Sequence, residues 1–174
     1  MHHSVATWYT FNVQFVMHPA SPPELTAGVC AQVTCMDATR KRVAFVNKAA
    51  ELVGATNARA VAGRCEELGR APDMRERYAV VTARAVANAA TLAELCLPFV
   101  RVGGVLVAAK GADGEAEVAR GGNAIEQLGG ELLGCVPVQS FASNGQRVAA
   151  VVRKVRATPD RFPRRNGIPN KRPL

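Results

Sequence analysis

The alternation of β-rich and helical stretches after residue 30 constrains this chain more than any other feature of it. Residues 31–36 read as a strand that ends in an acid, Asp37. A helix follows over residues 39–53, with Val43, Val46, Ala50 and Val53 on one face and Gly54 as its stop. Residues 58–62 form a second strand, followed by the turn Gly63-Arg64-Cys65-Glu66-Glu67-Leu68, and residues 78–83 a third that ends at Arg84. A helix over 89–100, a strand over 105–109 ending at Lys110-Gly111, and a helix over 115–128 continue the pattern. Alternation of this kind predicts a parallel sheet covered on both faces. The last two β-rich runs, 131–138 and 147–155, are joined around Ser143-Asn144-Gly145. Asn-Gly between two such runs signals a hairpin, so the sheet is expected to close with an antiparallel pair.

The first 30 residues are less regular. Residues 5–17 alternate polar and apolar side chains around Trp8, Tyr9, Phe11, Val13 and Phe15, the pattern of one half-buried strand. Pro19, Pro22 and Pro23 then break it. No base other than His occurs in the opening stretch, which resembles neither a signal peptide nor an Arg-rich transit peptide.

With 174 residues, 48% of them apolar, the chain can bury one domain's core. Its apolar runs are too short to span a membrane. Cys30, Cys35, Cys65, Cys96 and Cys135 are scattered with no C-x-x-C pair, which fits free thiols in a reducing compartment and no metal framework. The histidines, His2, His3 and His18, leave none for catalysis in the body of the domain. Of the net charge of +8, +7 falls between Arg153 and the C-terminus, where eight bases face one acid, Asp160. Such a block is read either as a solvated tail or as the footprint of a phosphate-backbone partner.

Polar groups recur at the ends of successive strands, and open α/β sheets bind ligands just beyond those ends. Asp37 stands where a carboxylate can accept both hydroxyls of a ribose, although Asp there can equally cap the helix that follows. Cys65 and Glu66 can meet an adenine edge; otherwise Glu66 is a solvated turn residue. Arg84 would lie further along the crevice, facing the transfer site, or form a surface ion pair worth at most about 1 kcal/mol. The pairs Gly103-Gly104 and Gly129-Gly130 read as turns, with no phosphate-loop spacing around them.

The stretch Asp37-Ala38-Thr39-Arg40-Lys41-Arg42-Val43-Ala44-Phe45, the turn from Gly63 to Leu68, the run Val81-Thr82-Ala83-Arg84-Ala85-Val86-Ala87, Ala109-Lys110-Gly111, and the ending Pro163-Arg164-Arg165-Asn166-Gly167-Ile168-Pro169-Asn170-Lys171-Arg172-Pro173-Leu174 resemble the ribosomal RNA small subunit methyltransferase G family, also called glucose-inhibited division protein B. The resemblance runs from about Val33 to Leu174, and the tail looks most like the Gram-positive, cyanobacterial and plastid branch. It implies a class I S-adenosylmethionine-dependent methyltransferase, with a Rossmann-like sheet and a C-terminal antiparallel hairpin, that methylates N7 of a guanosine in 16S rRNA. A dehydrogenase-type sheet, by contrast, normally lacks the closing hairpin. By the resemblance, Cys65 and Glu66 would contact the adenosyl group, Arg84 would sit at the cofactor and transfer site, and Asp37 fits the ribose role. Arg161, Arg164, Arg165, Lys171 and Arg172 would meet RNA phosphates. The implied partner is the small ribosomal subunit, with no metal and no membrane, in the cytoplasm or a chloroplast stroma.

The family's first strand and its acid-x-Gly-x-Gly-x-x-Gly turn are expected before Val33. Residues 1–30 contain a single glycine, Gly28. The expectation is therefore an atypical segment over residues 1–30, a methyltransferase domain over 31–156 lacking its first strand, and a basic tail over 157–174. The alternative is a non-catalytic RNA-binding remnant.

Overall fold

The computed structural model describes residues 14–18, 32–84, 88–111, 113–138 and 147–174. Seven strands form one sheet: β1 (Gln14–His18), β2 (Gln32–Asp37), β3 (Ala58–Ala62), β4 (Tyr78–Arg84), β5 (Val100–Lys110), β6 (Gly130–Val138) and β7 (Arg147–Lys154). Their spatial order is β3-β2-β1-β4-β5-β7-β6. The β2–β3 and β4–β5 pairs are parallel, and β7 runs antiparallel to both β5 and β6. The closing hairpin is therefore present, while its connection around Ser143-Asn144-Gly145 lies outside the described residues.

Among the described residues no parallel strand stands between β2 and β4; that slot is filled by β1. Gln14–His18 lies between β2 and β4 and runs antiparallel to both. Its amino end, rather than its carboxyl end, thus meets the edge where β2 and β4 finish.

The helices are α1 (Arg40–Leu52), α2 (Cys65–Leu68), α3 (Ala89–Cys96), α4 (Gly114–Arg120), α5 (Gly122–Gln127) and α6 (Ile168–Lys171). Several differ from the sequence expectation. The turn after β3 contains the one-turn helix α2. The helix expected over 89–100 stops at Cys96, because Val100 already pairs with Tyr78 at the start of an eleven-residue β5. The helix expected over 115–128 breaks at Gly121, where a Cβ would strike Ala89. On α1, Val43 is buried and Val46 and Ala50 half-buried, but Val53 is 78% exposed, since the helix has ended one residue earlier.

The core gathers on β4, β5 and α3, with Val81, Phe99, Val100, Leu97, Leu106 and Leu128 almost fully enclosed. Tyr78 and Phe99 pack edge to face, ring centroids 6.5 Å apart. Every residue of α3 is buried, because it is wrapped by α2, α4, α5, α6 and β4. Gly129 closes α5 with φ +86°; any side chain there would collide with the Arg156 carbonyl, so only glycine fits. Cys35 and Cys96 are buried and Cys135 half-buried, all as free thiols.

The basic end of the chain is not a solvated tail. Arg75 donates from Nη1 to the Gly69 and Phe162 carbonyls and from Nη2 to those of Thr158 and Pro159. Arg70 donates to the carbonyls of Asp160, Arg161 and Pro163. These two planar donor forks hold a stretch without regular structure whose carbonyls would otherwise need water. Below it Lys154, 0% exposed, donates to the Leu97 and Val100 carbonyls and Thr158 Oγ1, and lies 3.0 Å from Glu76 Oε1.

Candidate functional site

The carboxyl edge of the parallel strands brings the expected residues onto one rim. Cys35, Phe15 and Thr82 are aligned across β2, β1 and β4. Asp37 and Arg84 each lie two residues further along parallel strands, so they share a level and a face. Two strand spacings separate them, roughly 10 Å. Ala62 is paired with Asp37 on the other side, and β3 continues through Gly63 and Arg64 into α2, which begins at Cys65.

Asp37 orders the start of the helix that follows it. Its Oδ1 accepts the Thr39 N–H at 2.7 Å, and Oδ2 lies 3.3 Å from Arg42 Nη1. The N-cap residue, Thr39, makes no side-chain capping bond, so the acid two residues earlier orders the start of α1 instead. The carboxylate is 8% exposed. Each oxygen keeps a second lone pair able to accept a hydroxyl.

Glu66 is not a solvated turn residue: it is 7% exposed, and Oε1 accepts the Gly167 N–H at 2.9 Å. Its Oε2 has no partner among the described residues, yet no buried side-chain oxygen among them is left unpaired. Solvent therefore reaches Oε2. Burial pushes the neighbouring Cys65 thiol up to about 12, with the charges of Glu66 and Asp37 adding to the effect. Cys65 is thus a neutral thiol that can pack against a base or weakly hydrogen-bond it, and is no nucleophile at physiological pH. Asp37 is paired with Ala62, three residues before Cys65 opens α2, so the Cys65–Glu66 corner follows the β3 end that lies beside Asp37. Arg84 is exposed at the tip of β4, where its backbone is in register with Ala109 of β5. Lys110, at the tip of β5, is buried and bonded to Glu117 of α4 at 2.7 Å.

These groups fit the adenosine half of a nucleoside cofactor: acceptors for ribose hydroxyls at Asp37, and an acceptor and a neutral thiol at the Cys65–Glu66 corner. They do not extend to the rest of it. A glycine turn would follow the carboxyl end of the central strand, but here β1 is reversed, and residues 1–30 contain one glycine. Among the described residues there is no cluster of three His, Cys, Asp or Glu suited to a metal ion, and no helix is long and apolar enough to cross a membrane.

Residues 26–142 match the family model described as rRNA small subunit methyltransferase G. The chain belongs to that family. It is 48% identical over 143 residues to the ribosomal RNA small subunit methyltransferase G of Deinococcus deserti, covering 82% of the chain and 59% of the relative. With the protein of the same name from Bacillus subtilis the identity is 39% over 155 residues, 87% of the chain and 65% of the relative. The chain therefore spans about three-fifths of the length of these curated relatives. Among solved structures, TrmN from Thermus thermophilus superposes with a TM-score of 0.52 at 16% identity, over 70% of this chain and 36% of that one. That likeness reflects the shared Rossmann-like methyltransferase sheet.

The five tail cations fall into two groups. Arg161, Arg165, Lys171 and Arg172 are exposed, Arg161 stacking over the Phe162 ring at 5.0 Å. Arg164 is placed differently. Its Nη2 and Nε lie 2.6 to 3.0 Å from the oxygens of Glu94, which is 0% exposed in the middle of α3. The residues that sequence reasoning missed are the partners of the tail: Glu94, Glu76, Arg70 and Arg75. Their only local signal is that Glu94 interrupts an apolar helix, as buried acids do only when paired.

Proposed function

We propose that this chain is the cofactor-binding part of an enzyme that methylates N7 of a guanosine in 16S rRNA from S-adenosylmethionine. The observation that carries the reading is the meeting of Asp37, Cys65, Glu66 and Arg84 on one sheet edge, in a chain of this family. Asp37 would hold the ribose hydroxyls, and the Cys65–Glu66 corner would border the adenine. Arg84, on the same level and exposed, is free to steady the phosphate or the electron-rich edge of an incoming nucleotide.

When bound, the cofactor supplies an electrophilic methyl group on a sulfonium. Guanine N7 carries an in-plane lone pair and no proton, so the chain has no proton to remove. Positioning and electrostatics suffice, which suits a rim whose described residues include no histidine and whose thiol is neutral. Arg161, Arg165, Lys171 and Arg172 would contact phosphates, positioning RNA without reading its sequence. The docking of Asn166 and Gly167 on α2 supports that reading, since it ties the cation-bearing segment to the Cys65–Glu66 corner. The cytoplasm is the compartment that fits the free thiols of the described residues and a ribosomal substrate.

Isothermal titration of the 174-residue chain with S-adenosylmethionine tests the reading, followed by transfer of a labelled methyl group to small-subunit RNA. Micromolar binding with label recovered at guanine N7 supports it. A folded chain with no cofactor binding refutes it for this polypeptide.

A further inference from the structure

The C-terminal segment reaches the corner of the candidate pocket through one backbone bond. Gly167 has φ +76°, a conformation that side chains rarely adopt, and no atom lies within 4 Å of where its Cβ would stand. The glycine is therefore required by backbone direction, not by crowding. That direction carries its N–H onto Glu66 Oε1, while the neighbouring Asn166 side chain donates to Glu67 Oε1. Both glutamates of α2 are thus held from the tail. The segment is anchored on each side of this contact. Before it, the Arg164 N–H and guanidinium bind the enclosed carboxylate of Glu94. After it, Thr91 Oγ1 donates to the carbonyl of the buried Pro169 at 2.9 Å. A one-turn helix such as α2 has little stability of its own, so its geometry depends on what grips it.

We propose that residues 164–169 are a positioning strap for the Cys65–Glu66 corner, in which the Gly167 N–H engages one oxygen of Glu66 and leaves the other directed to the nucleoside. The inference rests on the cofactor reading for what the corner binds, but the strap itself is a property of the free protein. Glu66 is then the shared element between the segment that carries the RNA-facing cations and the pocket for the methyl donor. Gly167 acts through Glu66 and is a positioning residue, not a catalytic one.

Gly167→Pro removes both the N–H and the positive φ, in the full 174-residue chain. Two readouts are needed. The first is the alkylation rate of Cys65 by iodoacetamide, read peptide by peptide by mass spectrometry, with circular dichroism to show that the fold persists. The strap predicts at least a tenfold faster reaction at Cys65 in Gly167→Pro and in Glu66→Ala. In Glu66→Gln, which loses the charge but keeps an acceptor for the Gly167 N–H, the rise is severalfold smaller than in Glu66→Ala. An unchanged Cys65 rate in Glu66→Ala and Gly167→Pro overturns the strap, and if Gly167→Pro does not fold, the Ala and Gln variants decide it. The second readout is S-adenosylmethionine affinity in a double-mutant cycle of Gly167→Pro and Glu66→Ala. Each single change should weaken binding about tenfold, with no further loss when they are combined; losses that multiply overturn the coupling. Cofactor affinity that ignores Glu66→Ala, or is absent from the parent chain, refutes the pocket assignment, and the Cys65 rate then still decides the strap.

Discussion

Replacing Arg164 by alanine tests whether the basic end of the chain is structure or RNA contact. Glu94 has no exposed surface, and three of its short contacts come from the Arg164 side chain: Nη2–Oε2 at 2.6 Å, Nε–Oε1 at 2.9 Å and Nε–Oε2 at 3.0 Å. Only the Arg164 backbone N–H, at 2.8 Å from Oε1, would survive the change. Removing one partner of a buried ion pair costs about 3 to 5 kcal/mol, because a charge is left without compensation. The surviving bond places the expected loss near the lower figure. At this chain length about 3 kcal/mol corresponds to a drop in Tm of roughly 6 to 12 °C. Urea denaturation followed by far-ultraviolet circular dichroism measures it, with Arg165→Ala, an exposed neighbour, as control at under about 0.5 kcal/mol. Replacing both Glu94 and Arg164 by leucine should recover most of the loss, since no buried charge then remains. A loss under about 1 kcal/mol for Arg164→Ala, indistinguishable from Arg165→Ala, would refute the anchoring role.

Lys154 predicts a pH dependence. Burial pulls its ammonium down from 10.5 to about 8 against the opposing pull of Glu76. Between those values the unfolded chain holds a proton that the folded chain has released. The contribution of Lys154 to stability therefore rises with pH across that window, by about 3 kcal/mol in all. The stability difference between the parent and Lys154→Met, measured at pH 7.5 and pH 10, should move in favour of the parent; because the cysteines titrate in both proteins, their opposing effect cancels. A flat difference would show that burial does not pull the ammonium down. Arg84→Ala is expected to abolish methyl transfer in a form of the protein that carries the family's glycine turn, with its melting temperature unchanged; retained transfer would remove Arg84 from the site. Gly129→Ala should destabilise by about 2 kcal/mol or more, since its positive φ and the Arg156 carbonyl both exclude a Cβ; a change under 0.5 kcal/mol in urea melts would contradict that.

The rim of the site was legible before any coordinates because it is built from local signals. Asp37, Cys65, Glu66 and Arg84 each follow a β-rich run, and once the runs are strands of one parallel sheet, their ends must share an edge. The closing hairpin was legible for the same reason. Helix ends were less so: Cys96 ends α3 because Val100 is already engaged by Tyr78, a pairing across the sheet that helix periodicity does not register. The strand in residues 5–17 was half visible. Gln14–His18 does form one, but its direction follows from which neighbours it meets, and alternation of side chains is the same read either way.

The sequence by itself determined the alternating elements, the family, and the identities of the polar groups at the strand tips, because these depend on residues close together along the chain. Only the tertiary structure decided that the C-terminal cations are not equivalent. Arg164 and Glu94 are 70 residues apart, Arg70 and the Pro163 carbonyl 93, and Glu66 and Gly167 101. Counting charge along the chain makes that ending look like a solvated tail, since the acids and donor forks that hold it belong to distant elements. The cost of burying a charge without a partner is what brings them together.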